Sequence, residues 1–107
     1  DKQSSDNLYQ FMIEPDSLNE EAKFKALMNL HSLMLVFQNA YYLELEGTLD
    51  DRLKKSLTST IKGAKDQKGF KYYWSIRKSN FFDEFKKYVD EILLIEEQSV
   101  NIYNTIE

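Results

Sequence analysis

"KGFKYYWSIRKSNFFDEFKKYVDEIL", residues 68–93, places ten aromatic or cationic side chains in its first fifteen positions. Such a stretch is either a basic, ring-studded surface for nucleic acid or lipid, or a piece of core with solvated lysines between the rings. Helical periodicity separates the two. Phe70, Tyr73, Trp74 and Arg77 recur at i, i+3, i+4 and i+7, which is one helix face. Phe81 or Phe82, then Phe85, Tyr88 or Val89, Ile92 and Leu93 repeat the pattern in a second helix, and Lys71, Lys78, Lys86 and Lys87 fall between these positions. Stacking platforms for bases need rings exposed beside cations. Here the spacing predicts rings pointing inward and ammonium groups outward, which argues against nucleic acid as a partner. Tyr72 and Ile76 lie off the ring face and are expected to be exposed or to meet a further element.

Outward from this stretch, the only proline is Pro15 and the only glycines are Gly47, Gly63 and Gly69, among many Lys, Glu, Leu and Ala. So few breakers predict an all-α chain, a compact bundle of about five helices around one long central helix. Residues 1–107 read as a single helical domain, with 1–4 and about 97–107 as loosely ordered tails. The first helix, about 5–13, must stop before Pro15, because the residue preceding a proline is pushed out of helical geometry. Ser17 and Glu20 have the spacing of a capping box. They would open the central helix over about 18–46, roughly 43 Å at 1.5 Å per residue.

Two apolar stripes run along that central helix. Phe24, Leu27, Met28, His31, Met34, Leu35, Gln38, Tyr41, Tyr42 and Leu45 form one, and Ala26, Leu30, Leu33, Phe37 and Ala40 the other. A helix apolar over so much of its circumference is expected to be contacted on more than one side. Gly47 ends it in left-handed geometry, and Thr48 with Asp51 restarts a third helix over about 49–62. That helix carries Leu49, Leu53, Leu57 and Ile61 at spacing four. Residues 63–69 read as a polar connection, 70–78 as a fourth helix, and Ser79 or Asn80 as the cap of a fifth. Ile92, Ile95, Ser99, Ile102 and Ile106 keep helical spacing, so an extended C-terminal helix would present Ile102, Tyr103 and Ile106 for homo-oligomerisation.

At 107 residues the chain is one domain by length, and hydrophobic residues at 42% with charged ones at 30% suit a globular core. The longest uninterrupted apolar run is five residues, Leu33 to Phe37, far below a membrane span. No signal peptide is visible, and a start at Asp1 suggests a processed form or a piece of something longer.

The net charge of −4 is unevenly placed. Residues 52–78 hold Arg52, Lys54, Lys55, Lys62, Lys65, Lys68, Lys71, Arg77 and Lys78 against Asp66 alone, while residues 1–51 sum to −7 and 79–107 to −5. Intramolecular matching of a basic segment with acidic helices explains this. The alternative is an anionic partner, a membrane surface or a nucleic acid, held by Arg52, Lys54, Lys55, Lys62, Lys65, Lys68 and Lys71.

Catalytic chemistry finds little to build on. Cysteine is absent, which removes disulfides, thiolate nucleophiles and cysteine metal sites. His31, the single histidine, sits on an apolar stripe, where a hydrogen-bonded core imidazole is expected. A zinc site needs several nitrogen or sulfur ligands, and a carboxylate-bridged di-metal bundle needs Glu-x-x-His pairs that this chain lacks. There is no strained serine turn and no glycine-rich phosphate loop. No catalytic residue, cofactor or metal ligand is therefore assigned, and the chain is expected not to be an enzyme. Arg77, beside Trp74, is expected to be partly buried, stacked on a ring and paired with Glu44, Glu46 or Asp50. Tyr41 and Tyr42 diverge by about 100° on a helix; one is expected in the core and the other along a groove where a small apolar ligand or partner helix docks.

"LYQFMIEPDSLNEEAKFKALM", "FQNAYYLELEGTLDD" and "GFKYYWSIRKSNFFDEFKKYVDEIL" together resemble a widespread bacterial family of helical domains of unknown function, with a W-x-x-R-x-x-x-F-x-x-eF-x-x-yVd ending. The match covers about residues 8–93. The corresponding positions are Phe37, Asn39, Tyr41, Tyr42, Gly47, Leu49, Asp50, Gly69, Trp74, Arg77, Phe81 or Phe82, Phe85, Val89 and Asp90. Members often carry an N-terminal membrane helix with a basic flank, which by the positive-inside rule puts the domain in the cytoplasm. The resemblance implies a packing signature, with Trp74, Arg77, Phe81 and Phe85 as structural or interaction residues, and a cytoplasmic domain at the face of the inner membrane. The expected function is that of a non-enzymatic interaction or regulatory domain of a bacterial membrane-associated protein, with anionic-lipid or nucleic-acid binding through 52–78 as the alternative.

Overall fold

The computed structural model describes residues 2–48 and 50–95, with side chains from Asp6 onward. Five α-helices follow one another: α1 (Lys2–Ile13), α2 (Glu20–Leu45), α3 (Asp51–Ala64), α4 (Lys68–Arg77) and α5 (Asp83–Leu93). Single 3₁₀ turns at Pro15–Ser17 and Lys78–Asn80 join α1 to α2 and α4 to α5, and there is no strand among the described residues. α1 begins at Lys2, three residues before the start expected from the pattern. The C-terminal extension and its Ile102, Tyr103 and Ile106 lie outside the described residues.

The ring pattern decides the core as its spacing predicts. Phe70, Tyr73 and Trp74 of α4 are buried with Phe81, Phe85, Val89 and Ile92 at and in α5. They meet Phe11 and Met12 of α1, Ala26, Leu27, Leu30 and Met34 of α2, and Leu57 and Ile61 of α3. Lys71 and Lys78 stand exposed. Of the pair Phe81/Phe82, the first is inside and the second is 63% exposed. The Trp74 indole Nε1–H donates to Asp90 Oδ1 at 2.8 Å, so the ring's polar edge is satisfied as a buried indole requires. Fully burying such a ring contributes on the order of 2–3 kcal/mol.

Several local expectations are corrected. α2 is capped by Asn19, whose side chain accepts the Ala22 N–H at 2.8 Å. Ser17 instead bonds back to the Glu14 carbonyl inside the 3₁₀ turn after Pro15. Gly47 does adopt the left-handed geometry, with φ of 77°, but the restart cap is Asp50, accepting from the Arg52 N–H at 2.8 Å, and not Thr48. Thr48 bonds backward to the Leu43 carbonyl and closes the end of α2. The polar connection 63–69 shrinks to three residues, because α3 continues through Gly63 to Ala64 and α4 starts at Lys68.

Neither Ser79 nor Asn80 caps α5. Gln38 Oε1 of α2 takes the Phe82 N–H at 2.8 Å instead, a cap supplied from a neighbouring helix. Gly69 lies where α4 meets α1, so close that a Cβ there would stand 2.7 Å from Met12 Cα. α2 is less enclosed than its two stripes imply. Phe24, Leu33, Leu35 and Leu45, all placed on apolar stripes, are exposed, and so is Leu53 of α3.

Candidate functional site

α4 crosses the N-terminal half of α2 and leaves a cleft of about 220 Å³ between them. Glu20, Lys23, Phe24 and Leu27 line it from α2, and Tyr72, Ile76 and Arg77 from α4. The two rows follow from helical spacing: 20, 23, 24 and 27 lie within two turns, and 72, 76 and 77 form the edge next to the buried Tyr73. Two apolar side chains on its walls are open to solvent, Phe24 at 60% and Ile76 at 47% exposure.

The charges in the cleft are not equivalent. Lys23 Nζ sits 3.0 Å from Asp16 Oδ1 and 4.5 Å above the Tyr72 ring. The hydrogen bond to Asp16 raises its pKa above the ordinary lysine value. Arg77 is half-buried, and its Nη2 reaches Met28 Sδ at 3.8 Å. Among the described residues no carboxylate forms an ion pair with it. The expected partners are elsewhere: Glu44 is 3.5 Å from Lys54, and Asp50 is held by Arg52 at 2.8 Å. The reason is distance along α2. α4 packs near residues 24–31, whereas Glu44 to Asp50 lie at the far end, roughly 25 Å away at 1.5 Å per residue.

Behind Arg77 lies a polar pair at the edge of the core, buried Tyr73 and half-buried His31. His31 Nδ1 and the Tyr73 hydroxyl are 2.7 Å apart. Burial pushes the Tyr73 phenol well above its ordinary value, so it stays protonated and shares a hydrogen bond with the imidazole, the His31 tautomer setting which group donates. Burial first, and the Arg77 charge second, hold the His31 pKa below its usual 6.5. The histidine is therefore a half-buried, hydrogen-bonded side chain at the edge of the core. Among the described residues no group of three His, Asp or Glu side chains is arranged to hold a metal ion.

The other aromatic candidates form a seam between α2 and α5. Tyr41 and Tyr42 are both half-buried and meet edge to face, with centroids 5.3 Å apart. Tyr41 packs on Phe85 and Tyr88, while Tyr42 packs on Phe82 and donates to Glu84 Oε2 at 2.9 Å. Both therefore straddle α5, and the expectation of one core and one groove tyrosine is corrected: a helix axis running between two adjacent positions can engage both. The Tyr42 phenol is pushed up to about 12, by burial first and by Glu84 second.

The basic candidates are not gathered on one patch, and five of the seven have an acidic partner close by. Arg52 pairs with Asp50, Lys54 with Glu44, Lys55 with Asp51 and Lys68 with Glu14. Lys65 is buried and lies 3.2 Å from Asp66. Lys71 is exposed and Lys62 half-buried. The sequence missed Phe24 and Lys23 as members of a site. Tyr72 and Ile76, off the ring face, were the available signal for the α4 wall; nothing in the spacing separated Phe24 from the core stripe.

No family model, curated protein or solved structure matches the chain. Function is therefore read from the geometry.

Proposed function

We propose that the chain is a non-enzymatic interaction domain whose α2/α4 cleft docks a partner segment carrying a carboxylate beside an apolar side chain. One observation carries this reading. Among the described residues the half-buried Arg77 guanidinium bonds to a methionine sulfur and to no carboxylate, in a cleft bordered by exposed Phe24 and Ile76. A guanidinium is a fork of donors matched to a carboxylate. Inside a partly desolvated cleft that pairing is stronger than on open surface. Apolar rims of this kind mark contact sites. Glu20 on the rim selects against segments with several adjacent acids.

The resemblance of about residues 8–93 to a bacterial family whose members often carry an N-terminal membrane helix supports placing such a domain at the cytoplasmic face of a membrane. No helix among the described residues is long and apolar enough to cross one. The matched cations of residues 52–68 favour a protein partner over an anionic lipid or nucleic acid.

Peptide display against the immobilised protein tests the reading. Enriched sequences are expected to carry Asp or Glu next to an apolar residue, and to lose binding to Arg77→Met, whose circular dichroism stays native. Enrichment without acids, or binding indifferent to Arg77→Met, defeats it. Binding to acidic liposomes that falls steeply with salt would move the function to the basic segment.

A further inference from the structure

α2 carries no charged side chain from Ala26 to Leu43, eighteen residues in a chain that is 30% charged. Core contact explains only part of this run. Lys25, Asn29, Ser32, Val36, Asn39, Leu43 and Glu46 follow one another at spacings of four and three, and every one of them is exposed. That is the spacing of a coiled-coil seam, on the face of α2 turned away from α4 and α5. Val36 at its centre is 63% exposed, with Leu33 at 42% beside it. The ends of the seam carry opposite charges, Lys25 at one and Glu46 at the other. Lys25 also reaches Glu21 at 3.1 Å, an exposed pair within one helix; such pairs are worth little and exchange readily for a better one.

We infer that this outer face of α2 pairs antiparallel with α2 of a second copy of the chain, about a two-fold axis through Val36. The register follows from the spacing. With Val36 opposite Val36 of the second copy, Ser32 meets Asn39, Asn29 meets Leu43, and Lys25 meets Glu46, each pair occurring twice by symmetry. Two ion pairs close the ends, two Ser–Asn hydrogen bonds flank the centre, and Val36, Leu33 and Leu43 leave water. A parallel pairing would set Lys25 against Lys25 and Glu46 against Glu46, so the charges choose the orientation. The interface is isologous, as a two-fold requires. One helix pair buries less than the roughly 800 Å² per partner of a standard interface, and three of the seven seam positions are uncharged polar groups. The dimer is therefore weak and reversible. The surface is separate from the Arg77 cleft, so either can fail without the other.

The absence of cysteine makes the test clean. Sedimentation velocity of the 107-residue chain should show a mass moving from the monomer value of 12.7 kDa toward twice that as concentration rises. Val36→Cys should oxidise to a cross-linked dimer much faster than Ser79→Cys, an exposed control. Lys25→Glu should weaken association about tenfold, since two surface pairs turn repulsive, and Lys25→Glu with Glu46→Lys should restore it. Val36→Arg, which sets two cations together on the axis, should abolish it with unchanged circular dichroism. A monomer at every concentration, equal cross-linking of the Val36→Cys and Ser79→Cys proteins, or no rescue by the double charge reversal would each overturn the inference.

Discussion

Gly69→Ala offers the sharpest test of how α1 and α4 meet. Gly69 is the second residue of α4, and in an open helix alanine is better than glycine by about 1 kcal/mol. Propensity alone therefore predicts a more stable protein. The structure predicts the opposite. The new Cβ would overlap the Phe11 carbonyl oxygen and stand 2.7 Å from both Met12 Cα and the Phe11 carbonyl carbon. These are backbone atoms of α1 and cannot turn aside as a side chain could. Ordinary contact distances return only if the helices part by about 1 Å, which loosens Phe11 and Phe70, both buried at the crossing. Overpacking of this kind costs about 1–3 kcal/mol. With unyielding backbone on one side, the upper end applies, so the net after propensity is a loss of about 2 kcal/mol. For a domain of this size that lowers Tm by roughly 10 °C. Thermal unfolding followed by circular dichroism measures it. Gly47→Ala is the comparison: no atom lies within 4 Å of its new methyl, and only the positive φ opposes it, a cost of about 1 kcal/mol. A Gly69→Ala protein as stable as wild type would mean that the helices do not approach as described.

Further predictions concern the half-buried polar groups that hydrogen-bond to core rings. Asp90→Ala should cost about 1–3 kcal/mol in chemical denaturation, because it leaves the Trp74 N–H without an acceptor; Asp90→Asn, which keeps an oxygen there, should cost less than half as much, and equal losses would remove the hydrogen bond from the explanation. His31 gives a pH dependence. Its folded pKa is depressed below 6.5 by burial and by Arg77, so as pH falls through about 6.5 the unfolded chain takes up a proton before the folded one does. Stability should therefore decline on that side of neutrality until the folded pKa is passed, and His31→Gln should flatten the decline between about pH 7 and pH 5. An unchanged slope in His31→Gln would assign the effect to other groups.

Much of this architecture was legible because one signal dominated it. Rings at helical spacing in 70–92 have a single way to leave water together, and Phe70, Tyr73, Trp74, Phe85 and Val89 take it. Gly47 was equally plain, since a left-handed residue between two apolar periodicities has few other meanings. What the sequence concealed depends on which helix stands opposite. Asn19 displaces Ser17 as cap because Pro15 starts a 3₁₀ turn that consumes Ser17's hydroxyl. The amide that opens α5 is capped from Gln38, forty-four residues earlier. No local rule reaches that far. The same limit governs Arg77: its candidate partners were chosen by chemistry, and the packing of α4 on the opposite end of α2 took them out of reach. Periodicity also over-counted the core of α2, because it registers apolar faces without saying whether anything covers them. Phe24 and Leu33 were counted on those faces and are exposed, and both lie on surfaces proposed for partners.

The central claim is that the buried rings of residues 70–92 and the lysines between them part to opposite sides of their helices, which leaves the cleft and the outer face of α2 as the surfaces proposed for partners. Trp74 is the only tryptophan, so its fluorescence reports on that claim without interference. The account predicts emission blue-shifted from that of tryptophan in water, poor quenching by iodide, and a shift to the red on unfolding in denaturant. Emission and iodide quenching in the native protein equal to those of the unfolded chain would put the indole on a wet surface beside Lys71 and Lys78, and would contradict the account.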